Sequence, residues 1–312
     1  MRSPPMVFHP QYSIPWPETH RFAMWKFEDL WREATASGLA TRFYEPSEAP
    51  SEALHRAHDA AYLRAWETDT LPPHLWRRIG FTQRPDHAAL VRRTSLEVGG
   101  TLLAADLAQT YGLACNLGGG THHAHRDYGS GYTALNDLAV AALAASGRPL
   151  VVDCDVHQGD GTADILKGTH ASCFSLHCDA NFPFGFSRQA FPHLGGDESD
   201  LDVALPAGSG DAEVLAALRR HLPPLLDDLK PTLVLYDAGV DVDKVDALGK
   251  FDCTRTGIYV RDLYVIEQCV RRQIPVATVI GGGYDHDRAR LAKRHAIVLR
   301  AAIHVWRKYR LS

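Results

Sequence analysis

The sequence has no Cys-x-x-Cys pair. Its six cysteines stand apart at 115, 154, 173, 178, 253 and 269, a scatter expected of reduced, buried thiols and not of a disulfide scaffold or a sulfur-ligated zinc site. Any metal must therefore be held by histidine and carboxylate. No stretch approaches the roughly 18 apolar residues of a membrane span, and the opening Met1-Arg2-Ser3-Pro4-Pro5-Met6 has no apolar run suited to a signal peptide. The expectation is a cytoplasmic chain with no membrane span. Basic blocks that would follow a phosphate backbone are missing too, the net charge being −4 with 22% charged residues, so no direct nucleic-acid partner is expected. No Gly-x-Ser-x-Gly elbow closes a strand, which disfavours a serine hydrolase. No repeat, low-complexity tract or linker divides the 312 residues, and a single domain over 1–312 is expected.

What the chain does contain is an alternation of strand and helix patterns. Apolar residues at helical spacing run from Phe22 to Trp31, with Thr19 as the expected N-cap, and again from His55 to Trp66. The Pro-interrupted stretch from Leu71 to Asp86 reads as a long loop. Helices are predicted over Ala88–Tyr111, closed by Gly112, and over Thr133–Ala145, Ala212–Leu229, Gly257–Arg272 and Arg288–Lys308, the last with a basic, solvated outer face. Strands are predicted over Leu113–Leu117, Pro149–Asp153, Ser172–Leu176, Leu201–Leu205, Thr232–Tyr236 and Pro275–Ile280. Nearly all-apolar strands between helices predict an α/β fold, a largely parallel central sheet covered on both faces.

In such a sheet, ligands sit beyond the carboxyl ends of the strands. Four predicted strand ends carry unusual residues: Gly118-Gly119-Gly120-Thr121-His122-His123, Asp153-Cys154-Asp155-Val156-His157-Gln158-Gly159-Asp160, Asp237-Ala238-Gly239-Val240-Asp241, and Gly281-Gly282-Gly283-Tyr284. If the second is still a strand, alternation puts Asp153, Asp155 and His157 on one face. Two acids and a histidine buried there without partners or a cation would cost several kcal/mol. Taken singly each segment could be a turn, a solvated acidic loop or a structural histidine pair. Together they hold the parts of a hydrolytic metal site: an imidazole and carboxylates suited to zinc, and acceptable to iron(II), cobalt or manganese, with further imidazoles and a phenol nearby.

These four segments, in this order and spacing, resemble the histone deacetylase superfamily of zinc amidohydrolases, and the resemblance extends from Pro17-Glu18-Thr19-His20-Arg21 to the last helix. The Asp-Val-His-Gln-Gly form and the compact length most resemble class IV and its bacterial relatives. Animal class IV members carry Asn at the position of Asp160, a departure that makes this part of the chain more like class I. The resemblance implies a single-domain three-layer α/β/α fold of the arginase/deacetylase kind. It implies that Asp155, His157 and Asp241 bind Zn2+, with Fe2+ an alternative, and that His122 with Asp153 and His123 with Asp160 are catalytic dyads. Tyr284 would bind the substrate carbonyl. A structural K+ ion would sit on main-chain oxygens under the zinc loop, at the positions matching Asp153, Asp155, His157, Ser175 and Leu176. The acyl tunnel would involve Gly131, Tyr132, Phe182, Phe184, Gly282 and Gly283, with Phe182 or Phe184 facing Tyr132.

The expected substrate is an acylated lysine side chain in a protein, carrying acetyl or a longer fatty acyl group, or a small acylated amine. Two other readings stand beside it. An arginase-like ureohydrolase would use Asp241-Val242-Asp243 to bind a second metal, and a non-catalytic binding protein could descend from the enzyme fold.

Overall fold

A computed structural model describes residues 3–40, 43–183 and 199–312. In chain order its elements are β1 (Met6–Val7), a 3₁₀ turn (Pro10–Tyr12), α1 (Lys26–Ala36), β2 (Phe43–Tyr44), α2 (Ser51–Ala57), α3 (Ala60–Glu67), α4 (Pro73–Ile79) and α5 (His87–Tyr111). Then follow β3 (Leu113–Asn116), α6 (Asp137–Ala144), β4 (Pro149–Asp153), α7 (Asp160–Leu166), β5 (Ser172–Cys178), β6 (Leu201–Leu205), α8 (Asp211–Leu229), β7 (Leu233–Asp237), α9 (Arg255–Arg271), β8 (Val276–Val279) and α10 (Arg288–Tyr309). The eight strands form one sheet in the order β2-β1-β3-β8-β7-β4-β5-β6. Every pairing is parallel. Helices α1, α10, α9 and α8 pack side by side in one layer, and α5, α6, α2 and α7 in the other. The expected α/β/α architecture is therefore present.

Four strands, β3, β4, β7 and β8, are buried at every residue, which is why they read as unbroken apolar runs. Their central position brings their carboxyl ends together. Helix α5 starts where the Asp86 side chain accepts from Ala89 N–H and stops at Gly112, whose φ of 83° is left-handed.

Several boundaries differ from expectation for identifiable reasons. Pro73 occupies the first turn of α4, where a missing N–H costs nothing, and Gly80 (φ 88°) closes it; Leu71–Asp86 is thus partly helical. The helix predicted over His55–Trp66 is broken because His58 and Asp59 are extended and Asp59 N–H donates to Arg126 O at 2.8 Å. Thr19 is not a cap: His20 N–H donates to Pro17 O in a turn, and α1 begins only at Lys26. The basic face of α10 is not wholly solvated, since Arg294 is fully buried among Asp243, Asp246 and Asp285. Strands β1 and β2, of two residues each, are too short to carry a period.

Candidate active site

The carboxyl ends of β3, β4, β7 and β8 meet at one cavity of about 30 Å³ lined by the segments singled out in the sequence. At the end of β4 the strand stops at Asp153, so Asp155 and His157 do not share a strand face with it. They are brought round by two side-chain-to-backbone bonds: Asp155 N–H donates to Asp153 Oδ1 at 3.0 Å, and His157 N–H to Asp155 Oδ1 at 2.9 Å. The loop after β7 delivers Asp241, whose Oδ1 accepts Val156 N–H at 3.0 Å. Beneath the two loops the buried Arg261 guanidinium donates to Cys154 O and Gly239 O, both at 2.8 Å.

Asp155, His157 and Asp241 are all buried and form one of two clusters able to hold a metal ion among the described residues. His157 Nδ1 lies 3.0 Å from Asp155 Oδ1 and 3.1 Å from Asp241 Oδ2. Burial and the neighbouring Asp155 push the Asp241 carboxyl up to about 7, the signature of like charges crowded in a dry place. A divalent cation would relieve that crowding, and two carboxylates with one imidazole are a donor set zinc accepts. Gly282 leaves the room: a Cβ there would stand 2.1 Å from Asp241 Oδ2 and 2.7 Å from Asp155 Oδ2. The other cluster is His122, Asp153 and Asp237. Neither carboxyl oxygen of Asp237 has a hydrogen-bond partner, and burial together with Asp153 holds its pKa well above the carboxylate range.

His122 and His123 stand side by side with ring centres 4.1 Å apart, and each is tied through Nδ1 to its own acid. The distances are 2.7 Å to Asp153 Oδ2 and 2.6 Å to Asp160 Oδ1. The pairs titrate differently. Burial opposes charge on His122, but Asp153 and Asp155 outweigh it and hold the pKa well above the usual imidazole value. For His123, burial and the charge of His122 win over Asp160 and lower the pKa to about 4. One imidazole is thus kept charged and the other neutral.

Tyr284 lines the same cavity. Its backbone N–H donates to Asp246 Oδ2 at 2.7 Å, and burial, with Asp241 and Asp155 nearby, keeps its phenol protonated. Gly131 and Tyr132 also line the cavity, and Gly131 (φ 55°) lets the chain pass where a Cβ would meet His123 Cδ2 at 2.4 Å. Tyr132 is stacked on Phe81 and is 6.1 Å from Tyr284, ring centre to ring centre. Phe182 stands edge-on to His123 at 4.9 Å. Gly282 is in the cavity lining, whereas Gly283 packs against His295 and Val240. Phe184 lies outside the described residues. Of the positions expected around potassium, Asp153 and Ser175 face each other in register across β4 and β5, with Leu176 buried next to Ser175.

Sequence reasoning missed part of the cavity lining, the buried Phe22, Lys26, Phe27 and Glu97. Lys26 Nζ donates to Gly281 O at 2.8 Å, and burial lowers its pKa. The available signal was a lysine at helical spacing among Phe22, Phe27 and Leu30, on the face that turns inward.

Residues 20–300 match the histone deacetylase domain family. The chain belongs to the histone deacetylase family. As a member of that family it is a hydrolase of the deacetylase type, with the α/β sheet and metal-capable cluster described above. It is 44% identical over 310 residues to an uncharacterized protein of Picosynechococcus sp., covering 97% of this chain and 99% of that one. It is 31% identical over 258 residues to histone deacetylase 2 of Arabidopsis thaliana, covering 79% of this chain and 64% of the plant protein. In structure it resembles an acetylpolyamine aminohydrolase from Burkholderia pseudomallei, with a TM-score of 0.75 at 23% identity, over 96% of this chain and 98% of the other. No helix among the described residues is long and apolar enough to cross a membrane.

Proposed function

We propose that this deacetylase-family chain is a single catalytic domain that hydrolyses an N-acyl amide, with acyl-lysine in proteins as the substrate class and acetyl as the acyl group. The observation that carries the reading is the pair of adjacent imidazoles, each tied to its own carboxylate, beside a three-residue metal-capable cluster and a protonated phenol. Zn2+ held by Asp155, His157 and Asp241, or Fe2+ in its place, would supply Lewis acidity and a nucleophilic water at neutral pH. K+ on Asp153, Asp155, His157, Ser175 and Leu176 would brace the loop from below.

The chain's own residues then have separate tasks. His123 is neutral and positioned through Asp160, so it can take a proton from water and pass one to the departing amine, a contribution of order 10² to 10⁴ in rate. His122, kept charged by Asp153 and Asp155, supplies a fixed positive field where negative charge develops. The Tyr284 hydroxyl donates to the substrate carbonyl oxygen as it becomes an oxyanion. Tyr132 and Phe182 wall the approach.

Acyl length is read from the side of the cavity lined by Lys26 and Glu97. The amine side of the amide is attached to the rest of the substrate and must stay outside, so the acyl group points inward. There it would meet the buried Lys26 and Glu97, and each methylene of a long alkyl chain set against these charged groups would gain less than in an apolar pocket. Acetyl is therefore the proposed acyl group.

A dinuclear ureohydrolase is disfavoured because Asp243 stands outside both metal-capable clusters and faces the buried Arg294, 3.9 Å away at Nη1. A binding protein without catalysis is disfavoured by the intact set of dyads, cluster and phenol. The test is a panel of lysine peptides and small amines, including polyamines, acylated from acetyl to myristoyl and assayed with zinc and with iron(II). Release of acetate from peptides supports the reading, release only from small amines moves the substrate class, and no release from any member overturns it.

A further inference from the structure

His125 is a buried histidine that the dyads leave unused. It lies one turn of loop beyond His123, with Nε2 3.3 Å from Asp160 Oδ2 and Nδ1 3.1 Å from Asp164 Oδ2. Asp160 gives its other oxygen, Oδ1, to His123. The carboxylate is therefore clamped between two imidazoles, with His123 on the cavity side and His125 on the far side. Asp160 and Asp164 are four residues apart on α7 and share a helix face. The Asp164 side chain is 30% exposed, so the row His123–Asp160–His125–Asp164 runs from the cavity towards solvent.

The ring of His125 cannot turn away. It is stacked on Tyr128 with centres 4.3 Å apart and planes inclined by 23°, and the other side of Tyr128 carries the Arg78 guanidinium at 3.8 Å. Its backbone is held as well, since His125 O receives a hydrogen bond from His58 Nδ1 at 2.9 Å. The titratable and charged groups around it are Asp160 and Asp164 on α7, Tyr128 and Arg126 in its own loop, Arg78 on α4, and His58 ahead of α3. Two of these are carboxylates in direct hydrogen-bond contact, which makes the doubly protonated ring the form that satisfies both nitrogens.

We infer that His125 is a positioning residue for the proposed dyad: as an imidazolium it pins the second oxygen of Asp160, so that the first stays aligned with His123. A carboxylate held at one oxygen only can rotate about its χ2, and the His123 ring would lose its fixed orientation with it. The inference rests on the reading of His123 and Asp160 as catalytic partners.

The test compares His125→Ala, His125→Gln and Asp164→Asn in the metal-loaded enzyme, with Asp160→Asn as a control. Two measurements are made on each: kcat and KM, and the downfield proton NMR signal of the His123–Asp160 hydrogen bond. Expected for His125→Ala is a fall in kcat of roughly 10- to 100-fold, the scale on which outer partners of a site histidine act. KM stays within about twofold, the proton signal broadens or moves, and His125→Gln, which restores a donor, recovers most of both. Asp164→Asn, at the partly exposed end, should shift the same signal and lower kcat by a smaller factor, and it decides the question if His125→Ala does not fold. Wild-type kcat and an unmoved signal in His125→Ala overturn the inference. So does a loss in both His125→Ala and Asp164→Asn that only follows the folded fraction. If Asp160→Asn turns over like wild type, the dyad reading itself fails, which is a distinct result.

Discussion

Asp246 accepts the backbone N–H of Tyr284 at 2.7 Å, and Arg294, fully buried on α10, reaches both Asp246 Oδ2 (3.4 Å) and Tyr284 O (3.3 Å). The residue whose phenol is proposed to meet the substrate carbonyl is thus fixed through its backbone. Tyr284→Phe should lower kcat by about 10² to 10³ with KM nearly unchanged, the cost of one lost oxyanion donor. Asp246→Ala should cost less in kcat but lower the melting temperature, because it also leaves Arg294 with one buried partner fewer. Steady-state kinetics with metal analysis checks the first, and kinetics with a thermal melt the second; unchanged turnover in Tyr284→Phe would remove that residue from the chemistry.

Metal-binding capacity should depend on one missing methyl group. Gly282→Ala places a Cβ against Asp241 Oδ2 and Asp155 Oδ2, so the variant should fold but bind zinc at least about tenfold more weakly, as misplaced ligands do. Titration of the metal-free protein with zinc, followed by calorimetry, reads this without any assay of turnover. In the wild type the same titration should raise stability by about 2.7 kcal/mol when free zinc is 100 times Kd.

Acyl selectivity should shift when the inner charge is removed. In Lys26→Met one of the two charged groups on that side gives way to an apolar side chain, and the ratio of hexanoyl to acetyl turnover should rise by roughly 10-fold, the scale of one or two newly buried methylenes. An unchanged ratio would mean that the acyl group does not point towards Lys26.

The acid limb of kcat/KM should lie well below the ordinary imidazole range. Burial and the charge of His122 lower His123 to about 4, so the neutral base persists to acidic pH. Replacing His122 with Gln removes that charge, and the limb of the residual activity should move to higher pH. A limb that stays in place would show that the two rings are not coupled.

Stability should carry a matching signature at alkaline pH. Burial works against a charged His125, but the hydrogen bonds to Asp160 and Asp164 prevail and raise its pKa to about 9. A pKa raised on folding stabilises fully below the unfolded value, near 6.5, and that contribution is lost as pH rises through about 9. His125→Gln should therefore be less stable than wild type at pH 6, with the gap closing by about pH 10; parallel melting curves across that range would count against a charged His125.

The sequence alone determined the parts and their order. Unbroken apolar strands alternating with helices point to the buried middle of a parallel sheet, and acids, histidines and glycines at four strand ends then converge, because such strands share one carboxyl edge. The paired imidazoles, the Asp-x-His segment and Tyr284 were legible for this reason, and so was the family. Tertiary structure decided what periodicity cannot express. Asp155 and His157 reach Asp241 through a turn stitched by side-chain bonds, not along a strand face. Pro73 starts a helix where a proline run suggested a loop, because a first-turn proline has no hydrogen bond to lose. Lys26, Arg294 and His125 look like ordinary polar residues of two helices and a loop, and they become part of a cavity wall, a brace and a clamp only because distant segments bring a carbonyl or a carboxylate to meet each of them.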